Sequence, residues 1–164
     1  MRRNGFSVIE LLIAMLIIGI IAAIALGNYF NAIQRAKQKR TMADIRTAAS
    51  AWEARAVDTR QYNAAGAFSL PAESLTYDQI TTMLIPTYIR SASRTDGWGF
   101  PLEFRVDQAI GSSVPAAGYA LRSPGRDGKY QGTEYEGSAT TDFDCDILYA
   151  SGQFIAWPEG VQGK

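Results

Sequence analysis

From Leu11 to Leu26 the chain carries no charged or strongly polar side chain, whereas everything after Asn28 has the mixed pattern of a water-soluble protein. Phe6 to Leu26 is about the 20 apolar residues needed to cross a hydrocarbon layer of ~30 Å, and Glu10 alone interrupts it. Beyond Asn28 the pattern turns amphipathic. Met42, Ile45, Ala49, Trp52 and Ala56 recur at helical spacing, while Arg40, Asp44, Arg46, Glu53 and Arg55 take the other directions. One helix is therefore expected from Phe6 to about Asp58, its second half laying a stripe that includes Trp52 against a sheet.

The rest of the chain reads as shorter elements. Gln61 to Ala72, rich in Ala, Gly, Ser and Asn, is expected to be a loop leaving the helix. Thr76-Tyr77-Asp78-Gln79 has capping-box spacing ahead of Ile80, Met83 and Leu84, which predicts a short helix ending before Pro86. Leu102, Phe104 and Val106 alternate with Glu103 and Arg105 as a half-buried strand does, and Tyr119 to Arg122 reads as another. Ile147 to Ala150 and Gln153 to Trp157, joined by Ser151-Gly152, predict a closing hairpin. The expected fold class is α+β, a long helix packed on a small antiparallel sheet. Its divisions are a leader over 1–5, an apolar half-helix over 6–27, an amphipathic half over 28–60 and a globular region over 61–164.

Composition narrows the chemistry. Sixteen basic and sixteen acidic residues leave no net field to hold nucleic acid. Histidine is absent, which removes the commonest general base and metal ligand, and the single Cys145 can form neither an internal disulfide nor a cysteine zinc cluster. Without a histidine to activate it, and with carboxylates on both sides, Cys145 reads as a simple thiol rather than a nucleophile. Nothing here points to an enzyme.

Glu10 is the residue that needs a reason. A carboxylate at the centre of a bilayer costs on the order of 2.5 to 3.5 kcal/mol, more if it is later packed dry without a partner. A secretory signal would use Arg2 and Arg3 as its basic region and Ala23-Ile24-Ala25 as its cleavage site, but the carboxylate would interrupt its apolar core. A plain anchor would leave Glu10 among the headgroups. A cut between Gly5 and Phe6 would instead create an α-amino group one helical turn from Glu10, available to this copy or a neighbouring one.

Gly5-Phe6-Ser7-Val8-Ile9-Glu10-Leu11 and the apolar run through Ala25 closely resemble the signal and first helix of type IV pilins and pseudopilins. The resemblance implies cleavage after Gly5 by a prepilin peptidase, N-methylation of Phe6, and polymerisation through the apolar helices with Glu10 directing assembly. It also implies an N-terminus on the cytoplasmic side, although Arg35, Lys37, Lys39 and Arg40 outnumber Arg2 and Arg3 and would by count alone place it outside. Family members usually carry proline where this chain has Gly27; glycine weakens a helix by ~1 kcal/mol relative to alanine while keeping its amide proton, so local melting in a filament is expected without a forced kink.

A second resemblance covers Thr95 to Leu102, containing Asp96-Gly97-Trp98-Gly99, and Tyr119 to Lys129, containing Ser123-Pro124-Gly125-Arg126-Asp127-Gly128. Both look like the major pseudopilins of type II secretion systems. This resemblance implies a structural calcium ion in the loop, held by the Leu121 carbonyl, Ser123 and Asp127, with Asp142, Asp144 and Asp146 as the later candidates. The bland alternative is a solvated acidic loop. The function implied is a subunit that waits in the inner-membrane lipid with its globular part in the periplasm. It then polymerises with itself, alongside minor pseudopilins, on an inner-membrane platform driven by a cytoplasmic ATPase, and the filament drives protein export. A surface type IV pilus for adhesion, motility or DNA uptake is the nearest rival, and a membrane-anchored calcium-dependent binding domain is a rival of another class.

Overall fold

The computed structural model describes residues 6–59, 68–69, 71–108, 113, 118–160 and 162, so the leader over 1–5 and most of the loop expected from Gln61 lie outside the described residues. The chain falls into two compact units, Met1–Arg35 and Ala36–Lys164. Helix α1 runs over Val8–Thr59 without interruption, within two residues of the expected span at each end. It passes through Gly27 unbroken, since a glycine that retains its amide proton weakens the hydrogen-bond ladder without removing a rung.

In the second unit a six-stranded sheet is built from β2 (Glu73–Leu75), β3 (Glu103–Val106), β4 (Tyr119–Ser123), β6 (Ser138–Thr140), β7 (Ile147–Ala150) and β8 (Gln153–Pro158), in the order β2-β3-β4-β7-β8-β6. All neighbours are antiparallel except β6 and β8, which run parallel. A two-residue strand β1 (Phe68–Ser69) pairs with β5 (Glu134–Tyr135), placing a short strand inside the segment expected to be loop. The β7–β8 turn puts both Ser151 and Gly152 at positive φ, 46° and 95°, the combination that matches the right-handed twist of a tight hairpin. Helix α2 (Tyr77–Leu84) starts on the expected capping box: Gln79 N donates to Thr76 Oγ1 and Gln79 Oε1 accepts from Thr76 N at 2.9 Å.

The core lies between α1, α2 and one face of the sheet. Ile45, Ala48, Ala49 and Trp52 of α1 and Ile80 and Leu84 of α2 pack with Leu102, Phe104, Val106 and Leu121. Phe104 and Val106 are buried while Glu103 and Arg105 are half-buried, as the period of two requires. Trp52 is a core residue, 8% exposed, and tilts against the Tyr119 ring at 6.5 Å between centroids.

Gln38, Thr41 and Glu53 are polar residues of α1 that lie buried or half-buried. Gln38 and Thr41 are buried, each with a long-range partner: Gln38 Nε2 donates to Gln162 Oε1 at 3.2 Å, and Thr41 Oγ1 accepts from Gly97 N at 2.8 Å while donating to Lys37 O at 3.0 Å. Glu53, which the sequence pattern sets off the apolar stripe, accepts from the hydroxyls of Tyr119 and Tyr149. Burial and that carboxylate hold the Tyr119 phenol far above the ordinary tyrosine range.

Candidate functional site

Two regions carry functional expectations, and each belongs to a different unit. In the first, Ser7 and Glu10 form one turn at the start of α1. Glu10 N and Leu11 N donate to Ser7 O at 3.1 and 3.3 Å, and the Glu10 carboxylate reaches back to accept from Ser7 N at 3.4 Å. This is the side-chain half of a capping box, so the lone acid of the apolar run serves first to satisfy an orphan amide of its own helix. Phe6, Ile9, Leu12, Leu16 and Ile20 are all more than half exposed in the single chain, and the helix is long and apolar enough to cross a membrane. An exposed apolar surface of that extent requires lipid or other protein around it. Gly5, the other processing residue, lies outside the described residues.

The second region is the connection from β4 to β7, which carries the residues expected to hold calcium. Leu121 sits mid-strand in β4, opposite Phe104 on β3 and Tyr149 on β7. Ser123 ends β4 and is fully buried; its Oγ donates to Asp96 Oδ2 at 2.7 Å and accepts from Gly125 N at 3.2 Å. Gly125 has φ 73°, and a Cβ there would stand 2.6 Å from Cys145 O and 2.9 Å from Phe143 O, so only glycine allows the two limbs of the loop to touch. Arg126 N donates to Phe143 O at 2.9 Å across that contact.

The five candidate side chains are thereby spread over different partners. Asp127 is exposed and Oδ1 accepts from Lys129 N at 2.9 Å. Asp142 Oδ1 accepts from Asp144 N at 3.1 Å. Both oxygens of Asp144 take a two-pronged contact from Arg126, Nε to Oδ1 at 2.6 Å and Nη2 to Oδ2 at 2.7 Å, which holds the Asp144 carboxyl below its ordinary value. Asp146 is 1% exposed; Oδ2 accepts from Gln131 N at 3.0 Å and from Tyr135 Oη at 2.5 Å and stands 3.9 Å from Arg122 Nη1. Burial pushes the Asp146 carboxyl up, against those contacts.

Calcium takes about six to eight oxygens converging on one point. Among the described residues no three acidic, histidine or cysteine side chains gather to hold a metal ion. The Asp144 fork and the Ser123 hydroxyl are already engaged elsewhere, and only Asp146 Oδ1 is buried without a hydrogen-bond partner among the described residues of this loop. The expected ligand set does not fit the ion in this arrangement.

Sequence reading missed Asp96, the buried residue that ties the glycine-aromatic turn to the loop. Its Oδ1 accepts from Trp98 N and Phe100 N, both at 2.9 Å, and its Oδ2 from Ser123. The signal available was an aspartate two residues ahead of Trp98 in a turn rich in glycine, the pattern of a side chain closing its own turn. It missed as well that Arg122 and Arg126, interleaved with Leu121, Ser123 and Asp127, meet Asp146 and Asp144 across the loop.

The family described as the prokaryotic N-terminal methylation motif matches residues 1–26. The type II secretion system core protein G of Dickeya chrysanthemi is 26% identical over 154 residues, covering 89% of this chain and 85% of that protein. The comparison with solved structures gives no match. The chain thus resembles the type IV pilins through its first helix and a type II secretion core protein along most of its length, a likeness that points to a structural pilin-type subunit.

Proposed function

We propose that this type IV pilin-like chain is the major structural subunit of a type II secretion pseudopilus, made as a membrane-held precursor, cut after Gly5, methylated on Phe6 and polymerised into a periplasmic filament that drives protein export. The observation that carries the reading is Glu10, the single charge in the exposed apolar run from Phe6 to Leu26, which also bears the methylation motif. Similarity to a secretion core protein along 89% of the chain favours secretion over a surface pilus.

The physical sequence is simple. Before assembly the run from Phe6 to Leu26 is solvated by lipid, which is as apolar as the helix itself, so association gains little from hydrophobicity. Register must then come from helix packing and from a specific polar contact. The Phe6 α-amino group released by cleavage supplies a cation for Glu10, either in its own copy, where Glu10 already reaches the Ser7 amide, or in the next. The globular unit stays in the periplasm, and an inner-membrane platform and cytoplasmic ATPase provide the work, since the chain has no phosphate-binding loop. Minor pseudopilins and the prepilin peptidase complete the set of partners.

Intact mass and N-terminal peptide mapping of the mature protein test the reading. The expected product starts at Phe6 and carries one added methyl group. Functional protein that retains the first five residues would overturn it.

A further inference from the structure

We infer that Arg126 and Arg122 hold the loop between β4 and β7 in the place a divalent cation would take, so that the globular fold of this chain does not depend on calcium. The inference stands whether or not the chain polymerises.

The loop collects negative charge and must be answered by positive charge or come apart. Arg126 answers most of it. Its guanidinium forks onto Asp144 at 2.6 and 2.7 Å, and Asp142 and Asp127 lie close enough to add to the field that favours its charged form. The three acids nearest the tip thus share one guanidinium. Arg126 is fixed in turn by its own backbone, whose amide bonds Phe143 O, and its side chain lies 5.7 Å from the centre of the fully buried Phe143 ring.

Arg122 serves the base of the loop. It is 5% exposed, donates from Nε to Glu103 Oε2 at 2.5 Å, and from Nη1 to Gly132 O at 2.5 Å and Tyr135 Oη at 2.8 Å. The Tyr130 ring stacks on it with 4.0 Å from Cζ to the centroid. Asp146 completes this group through Tyr135 and the 3.9 Å approach to Nη1. A guanidinium that meets a carboxylate, a carbonyl, a hydroxyl and an aromatic face does by directional donors what an ion does by coordination. A calcium ion brought among these acids would meet both guanidinium charges and would have to displace the Arg126 fork to reach Asp144. Asp146 Oδ1 is the one buried side-chain oxygen of these acids without a hydrogen-bond partner, and it lies on the Arg122 side of the loop rather than beside the Arg126 fork.

The test uses the full-length protein in detergent micelles, with unfolding monitored by tryptophan fluorescence; Trp52, Trp98 and Trp157 all lie in the globular unit. Melting midpoints in ~10 mM calcium and in excess chelator are expected to agree within about 1 °C, at a concentration that would saturate even weak extracellular-type sites. A calcium-dependent rise of several degrees would overturn the proposal. Arg126→Gln is expected to lower the midpoint by about 3 to 6 °C in chelator, and Asp144→Asn is expected to cost almost nothing further on that background. An Arg126→Gln variant that melts with the parent would equally overturn it.

Discussion

Asp96 offers the sharpest check on how the globular unit is held, because a single carboxylate joins two segments that lie far apart in sequence. It is 2% exposed, and Asp96→Ala removes three hydrogen bonds at once: those from Trp98 N and Phe100 N at 2.9 Å and that from Ser123 Oγ at 2.7 Å. The donors left behind are not equal. Ser123 is fully buried with Gly125 N already on its oxygen, so its hydroxyl proton has nowhere obvious to go and costs about 1 to 2 kcal/mol. Trp98 and Phe100 are half-buried, so water can reach their amides in part, and each costs about 1 kcal/mol. The sum is about 3 to 4 kcal/mol, or roughly 10 to 15 °C in the melting midpoint of a unit this size. Asp96→Asn separates the charge from the geometry. The amide oxygen still accepts from both backbone amides, and the amide nitrogen can donate to Ser123 Oγ once that hydroxyl rotates, so the loss should be about 1 kcal/mol. Chemical denaturation monitored by tryptophan fluorescence measures both variants. An Asp96→Ala cost below about 1 kcal/mol, or equal costs for the two variants, would refute the reasoning.

Gly97→Ala should destabilise by about 2 kcal/mol or more, because the added Cβ would stand 2.4 Å from Lys37 O and 2.9 Å from Lys37 Cα, and the α1 backbone cannot retreat; a melting midpoint within 1 °C of the parent would contradict that contact. Burial raises the phenols of Tyr119 and Tyr135, and pushes Tyr130 up to about 12. These tyrosines keep their protons in the folded chain while the unfolded chain loses them from about pH 10, so stability is unaffected below that pH and falls as pH rises above it. Absorbance titration at high pH should show part of the tyrosine signal appearing only with unfolding, and a single smooth titration near pH 10 with the fold intact would argue against it. Glu10→Ala should leave the melting of the globular unit unchanged while abolishing filament formation; filaments of normal register from that variant would defeat the Phe6–Glu10 charge pair as the assembly device.

The elements legible in the sequence were those whose cause is local. The capping box at Thr76 and Gln79, the period-two burial of β3 and the Ser151-Gly152 hairpin each depend on residues within a few positions of one another, and each is found where the pattern puts it. The long helix was legible for the same reason, through its apolar run and then its stripe. Strands β2 and β6 were not, because edge strands need only backbone partners, and Ser138-Ala139-Thr140, mostly exposed, carries no apolar alternation to announce one. The burial of Gln38 and Thr41 and the inward contacts of Glu53 are not legible for a related cause: a polar residue on the core side of a helix is tolerable only through a partner distant in sequence, such as Gln162, Gly97 or Tyr119.

The β4–β7 loop is the place where local reading leaves two answers open. Closely spaced acids require positive charge, and acid spacing alone does not say whether an ion or a side chain supplies it. The deciding residues were in view: Arg122 and Arg126 stand four apart across Ser123-Pro124-Gly125, on a limb that Gly125 allows to lie against Phe143 and Cys145. Once that contact brings the two limbs together, Arg126 has Asp144 within reach and forks onto both of its carboxylate oxygens. An arginine interleaved with a candidate ligand set therefore has to be weighed together with the acids, because it competes with an ion for the same carboxylates.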